Sequence, residues 1–275
     1  MFYTIKYENG GAKMRFFVAA HPEKPQAATL KENIAHWLIG KGHVVATDAM
    51  SAELVIALGG DGYVMHCINL FSPKGIPTIG INVGDVGFIT QGNADNWPSI
   101  LEYILDGIFH VEKRIGLELV YRGKSYGPFT NDAYFKHSSS VAAFGVKLDD
   151  YCLYNEFFAD GLIISTPTGS TGYNVSANGP IVQPGVSCLL LTPICPGHLN
   201  IRPLVYSPKA KVEIVVTKIK RPGKLSLMAD GATIADDFPV GDSIIAKQHD
   251  TRMLVAVLSH NDFYQALQTK KGLMS

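Results

Sequence analysis

The chain has 275 residues, 47% apolar and 17% charged, and its 24 lysines and arginines balance 24 aspartates and glutamates. That length suits two modest domains, and that composition excludes disorder. Zero net charge removes any global pull toward nucleic acid or an anionic membrane.

The opening stretch MFYTIKYENGGAKMRFF mixes charge and polarity too early for a signal peptide. No run approaches the ~18 to 20 apolar residues that span a bilayer, so a soluble cytoplasmic protein is expected. Residues 15–20 read as a buried strand. Leu30, Ile34, Trp37 and Leu38 then share one helical face that Gly42 can close. Residues 53–58 (ELVIAL) form a second strand of the fully buried kind, followed at once by glycines, and residues 76–82 repeat the theme. Asn96 offers an N-cap with Pro98 in the first turn, ahead of a stripe of Trp97, Ile100, Leu101, Ile104, Leu105 and Ile108. Strand and helix alternating in this way predict an α/β domain with a mainly parallel sheet.

Beyond Val111 the texture becomes β-rich. Runs at 117–121, 130–135, 141–148, 151–157, 188–194, 212–217, 225–228 and 243–247 predict a second, mainly β domain. Residues 253–258 again read as a buried strand, followed by a short helix over 261–268. Periodicity does not place this tail. Cys67, Cys152, Cys188 and Cys195 make no CxxC pair and stand beside no histidine cluster at zinc spacing. Four incidental thiols in a reducing compartment are expected.

Two motifs carry chemistry. GGDG at 59–62 lies just past a buried strand, where open α/β sheets hold ligands. Its glycines admit phosphates to backbone amides. A turn that only binds phosphate gains nothing from a carboxylate. One that takes a proton from a hydroxyl, or holds Mg²⁺, needs it. The plain alternative is that Asp61 merely caps the next helix. A Walker A loop and a GxGxxG fingerprint are both missing, the latter because position 65 is methionine. The second motif, DGLIISTPTGSTGYNVSANGP at 160–180, crowds hydroxyls and glycines around Tyr173 and Ser176. Such groups can bond a ribose and stack on a purine, although an ordinary Ser/Thr/Gly surface loop has the same composition.

GGDG, GINVGDVGF (80–88), Asn131-Asp132, the second motif, LTPICPGHLNIRPLV (191–205) and Asp230-Gly231 together resemble the NAD kinase family, in its order, from about residue 15 to 262. GGDG alone is shared with lipid kinases and phosphofructokinases; the long second motif separates this chain from them. The resemblance implies an N-terminal α/β domain over 1–111, with 250–275 returning to it, and a sandwich-like, mainly β NAD-binding domain over 112–249, with NAD bound between them. It implies phosphoryl transfer from ATP or polyphosphate, with Mg²⁺, to the 2′-hydroxyl of the adenosine ribose of NAD, giving NADP.

By the same resemblance Asp61 is the catalytic base and Gly62 lies near the ribose. Gly59, Gly60 and His66 belong to the phosphate-donor loop, a packed or solvated role being the plain alternative for His66. Asn131 and Asp132 hold ribose and base, and Thr171, Tyr173 and Ser176 line the adenine site. Phe88 packs nearby, Asp160 sits toward the nicotinamide half, and Asp230 is a further residue of the dinucleotide site. The metal ligands stay unassigned, and a homodimer or homotetramer is implied. The chain departs from the family pattern at Tyr63 (usually threonine), Asp132 (usually glutamate), Gly172 (usually alanine, so the loop gains freedom) and Asn178 (usually glycine). The rival readings are a lipid or sugar kinase sharing only GGDG, and a dinucleotide sensor on a retired kinase scaffold.

Overall fold

The computed structural model describes residues 5–6, 13–84, 87–258 and 262–269. Asp85 and Val86 of the 80–88 motif, and Asn261 at the head of the expected tail helix, lie outside them. Contacts divide the chain into two compact units, Met1–Lys113 with Arg252–Ser275, and Arg114–Thr251.

In the first unit the described strands form an eight-stranded mixed sheet. Its centre is parallel: Arg15–Ala20 pairs with Leu54–Leu58, which pairs with Thr78–Asn82. All five residues of Leu54–Leu58 are buried, as a strand covered on both faces requires. The tail strand Met253–Val257 runs parallel to Thr78–Asn82, with Val255 opposite Thr78. Helix Pro25–Gly40 starts on a proline, turns Ala27, Leu30, Ile34 and Leu38 inward, and is followed by Gly42 at φ +88°, where glycine bears no Cβ penalty. Helix Trp97–Leu105 buries Ile100, Leu101 and Ile104. Two details differ from the sequence expectation. Asn96 stands at the N-cap, but its Oδ1 accepts from the Asn93 N–H at 2.8 Å and leaves the helix uncapped. Ile108 falls past the helix end, after Gly107 (φ +72°), and is exposed.

The second unit is two six-stranded antiparallel sheets. Leu117–Tyr121, Leu225–Ala229 and the first six residues of Val212–Ile219 each alternate buried with half-buried residues. Leu119, Phe144 and Ile214 of one sheet and Phe135, Ile164 and Leu227 of the other share a single apolar cluster, which makes the unit a β-sandwich. Strand Lys124–Phe129, absent from the sequence expectation, is an edge strand with no fully buried residue and little apolar signal. No helix among the described residues is long and apolar enough to cross a membrane. The four cysteines are free, Cys67 and Cys188 buried, and burial pushes the Cys67 thiol up to about 12, leaving it unreactive.

Phe135 anchors the sandwich, with ring centroids 5.6 Å from Phe144 and 4.9 Å from Phe238. Phe135→Ala is expected to cost about 3 to 5 kcal/mol in urea unfolding, while a loss below about 1 kcal/mol would show that the core closes over the gap.

Candidate active site

In the first unit the GGDG motif forms the junction between strand Leu54–Leu58 and helix Asp61–Phe71. The Gly59 N–H donates to the Ile81 carbonyl at 3.1 Å, so the motif begins where the sheet ladder ends. Gly60 is the N-cap, in extended conformation, and a Cβ at Gly60 or Gly62 would meet nothing. Both glycines therefore border open space beside the helix's first amides, which have no partner inside the helix.

Asp61 caps nothing. Its Oδ2 accepts from the Phe88 N–H at 2.7 Å and its Oδ1 from the Ile89 N–H at 3.3 Å. A side chain at residue 87 would overlap that carboxylate, so Gly87 is the residue that lets the loop close on it. The Gly87 N–H in turn donates to Thr90 Oγ1 at 3.1 Å. About four lone-pair sites less two amide bonds leave acceptor capacity for a substrate hydroxyl. Phe88 thus serves Asp61 through its backbone, while its ring stands 6.4 Å from Phe263. Tyr63 donates to the Ala20 carbonyl at 2.8 Å, and its ring lies between those of His21 (5.1 Å) and exposed His66 (6.2 Å).

In the second unit Asp230 organises the other motif residues. With Gly231 it makes the two-residue turn between Leu225–Ala229 and Ala232–Ala235, both turn residues at positive φ. Its carboxylate accepts from three successive amides, Thr130 at 2.7 Å, Asn131 at 2.9 Å and Asp132 at 3.0 Å. Asn131 then meets the second motif. Its carbonyl accepts from the Thr166 N–H at 2.9 Å, and Cβ atoms at Gly169 and Gly172 would press on its carbonyl and its amide. Gly172 therefore stands close against the Asn131 side-chain amide.

Much of the second motif faces inward. Asn174 is fully buried, donates to the Ser170 and Pro180 carbonyls at 3.1 and 2.9 Å, and accepts from Thr192 Oγ1 at 2.7 Å. Thr166 Oγ1 donates to the Thr130 carbonyl at 2.6 Å. Thr171 and Tyr173 are half-buried and Ser176 is exposed, so these three stand at the loop's outer side. The Tyr173 ring meets Tyr134 edge-on at 5.0 Å.

Asp160-Gly161 is the corner where the chain leaves strand Tyr151–Ala159 of one sheet for Gly161–Ser165 of the other. Any Cβ at 161 would overlap the Phe135 carbonyl, so the corner needs glycine. The exposed Asp160 and Tyr173 line one cavity of about 630 Å³. Three further lining residues, Lys136, Lys220 and Arg221, were not singled out from the sequence, because they come from hairpin ends far apart in the chain. Gly87 and Thr90 were missed for a similar reason: they act on Asp61 from a separate loop.

Asp132 is 4% exposed, and apart from the Asn131 amide at 3.3 Å its carboxylate has little support. Burial, and then the neighbouring Asp230 charge, push it from 3.8 up to about 7. A carboxyl raised in this way binds its proton more tightly folded than unfolded. The stability it contributes is complete below about pH 4 and is lost as pH rises to about 7. Asp132→Asn, neutral throughout, is expected to gain stability relative to the parent across that window in urea unfolding. Parallel profiles for the two proteins would sink this account.

Two family models match in chain order: the ATP-NAD kinase N-terminal domain over residues 41–109 and the ATP-NAD kinase C-terminal domain over 133–256. The NAD kinase of Methanothermobacter thermautotrophicus is 31% identical, covering 94% of this chain and 96% of its own length. That of Trichlorobacter lovleyi is 37% identical over 80% of this chain and 78% of its own. Among solved structures, yeast NADH kinase complexed with NADH superposes with a TM-score of 0.79 at 21% identity, over 100% of this chain and 94% of the other. An NAD kinase from Archaeoglobus fulgidus in complex with ATP gives 0.74 at 21% identity, over 93% and 98%. At such identity those two speak for the fold. The sequence relatives, the first of them aligned over 94% of this chain at 31% identity, go further: the chain belongs to the NAD kinase family.

Proposed function

We infer that this chain is an NAD kinase, transferring the terminal phosphoryl group of ATP to the 2′-hydroxyl of the adenosine ribose of NAD and giving NADP. The observation that carries the reading is the Asp61 carboxylate, fixed by the Phe88 and Ile89 amides at the carboxyl end of a parallel strand. In the reaction the hydroxyl oxygen bonds to the γ-phosphorus as the bond to the bridging β–γ oxygen breaks. ADP leaves, and the hydroxyl proton passes to Asp61 and then to water. The Asp61 carboxylate is held by two amides. It orients the hydroxyl in the ground state and takes the proton late, as suits a reaction driven by positioning and charge neutralisation.

Gly59, Gly60 and Gly62 are assigned to the donor's phosphates: a Cβ at Gly60 or Gly62 would meet nothing, whereas one at Gly59 would meet the Tyr63 side chain, and His66 stands on the same helix face as Tyr63. The dinucleotide is held by Asn131, Asp132, Thr171, Tyr173 and Ser176, with Asp160 toward its nicotinamide half. Asp230 acts on it through the backbone of 130–132. Among the described residues no three His, Cys, Asp or Glu side chains stand together as a metal cage. Mg²⁺ would accompany the nucleotide substrate and neutralise the charge that develops on its phosphates. Polyphosphate is a second donor of the same chemistry. We place the enzyme in the cytoplasm, as its sequence leads one to expect, and expect a homodimer or homotetramer from the family resemblance.

The test is NADP formation from NAD, ATP and Mg²⁺, read through an NADP-specific dehydrogenase. Asp61→Asn is expected to lower turnover by about 10²-fold or more, the lower range for a general base, with folding intact. Near-normal turnover in that variant would remove Asp61 from the chemistry, and no NADP from the parent with either donor would return the chain to a sensor role. Gly87→Ala keeps the carboxylate but displaces it, and a loss of kcat on the order of 10²-fold is expected where the geometry matters. An unchanged kcat would show that the closure of the loop on Asp61 is dispensable.

A further inference from the structure

The cavity in the unit Arg114–Thr251 carries more positive charge than its neighbours balance. Lys136, Lys220 and Arg221 line it against one carboxylate, Asp160. None of the three cations makes a salt bridge among the described residues. The two lysines are held in other ways, with Lys136 Nζ 5.7 Å from the Tyr173 ring centroid and Lys220 Nζ 5.6 Å from that of Phe158. A ring steadies an ammonium without neutralising it.

The basic wall is a built structure rather than a loose fringe. The turns that follow strands Asp132–His137 and Val212–Ile219 are stitched together. The Ser138 N–H donates to the Lys224 carbonyl at 3.0 Å, the Lys224 N–H to Ser138 Oγ at 3.2 Å, and the Lys220 N–H to the Val141 carbonyl at 3.3 Å. His137, 5% exposed, accepts from the Ser139 and Ser140 amides on Nδ1 at 3.2 and 2.8 Å. A Cβ at Gly223 would meet its ring at 2.6 Å, so the second turn packs directly on the imidazole. With Nδ1 accepting, the other ring nitrogen, Nε2, is buried and has no hydrogen-bond partner among the described residues.

We propose that this cavity binds the linked phosphates of a small polyanion through Lys136, Lys220 and Arg221. Its volume of about 630 Å³ takes a small molecule. Arg221 supplies a fork matched to phosphate oxygens, and the lysines supply point charges. Asp160 confines the anion to the cationic side by repulsion. The oligophosphate chain and the phosphates of a nucleotide share this chemistry.

Calorimetric titration of tripolyphosphate into the full chain, without NAD and at low ionic strength, tests the site independently of turnover, so a failed kinase assay leaves it standing and a failed titration leaves the kinase reading standing. One tripolyphosphate is expected per chain, weakened by salt. The pair Lys220→Ala with Arg221→Ala is expected to weaken it roughly tenfold or more, and Lys136→Ala to weaken it separately. All three side chains are exposed, and far-UV circular dichroism checks that the variants are folded. Competition then identifies the source: displacement by ATP assigns the cavity to nucleotide phosphates, and retention of tripolyphosphate assigns it to an oligophosphate. No binding by the parent, or equal binding by the folded variants, overturns the proposal.

Discussion

The carboxylate of Asp230 holds the sandwich's motif residues in place. Three successive amides converge on it, so the turn it starts and the strand head at 130–132 form one rigid piece. Asn131, positioned in this way, gives its carbonyl to Thr166, and a Cβ would overlap that carbonyl from residue 169 and approach its side-chain amide from residue 172. Hydrogen bonds to a charged acceptor contribute about 1.5 to 3 kcal/mol, and three on one group are not easily replaced. The same charge has a cost. It stands beside buried Asp132 and helps keep that carboxyl protonated.

The first unit uses a related device for a different end. There the amides of residues 88 and 89 converge on Asp61, which keeps acceptor capacity and borders open space beside Gly60 and Gly62. One clamped carboxylate stabilises a scaffold and the other is presented to chemistry. The difference lies in satisfaction: Asp230 is occupied by three donors, Asp61 by two, one of them at 3.3 Å.

Periodicity made most of the architecture legible. The buried run at 54–58 and the alternation at 117–121 and 212–217 report burial on two faces and on one, and the strands appear there. Short or exposed strands such as Val44–Val45 and Lys124–Phe129 left no pattern, because they bury too little to need one. In the site, residue type alone separated Asp61 from a phosphate loop. It did not separate the inward hydroxyls and amide of Thr166, Ser170 and Asn174 from the outward Thr171 and Ser176, since both sets share one composition. Gly87, Thr90 and the three basic residues of the cavity act across loops distant in sequence, and only the folded register unites them.

The strand Met253–Val257 lies parallel to Thr78–Asn82 within the first unit, while the whole of Arg114–Thr251 intervenes between them in the chain. On a ribosome, where domains ordinarily fold from the N-terminus as they emerge, this order is inverted. The sandwich is contiguous and can close as soon as it is made. The α/β sheet begins first but must wait, one neighbour of Thr78–Asn82 still missing, until translation has passed through the entire insert.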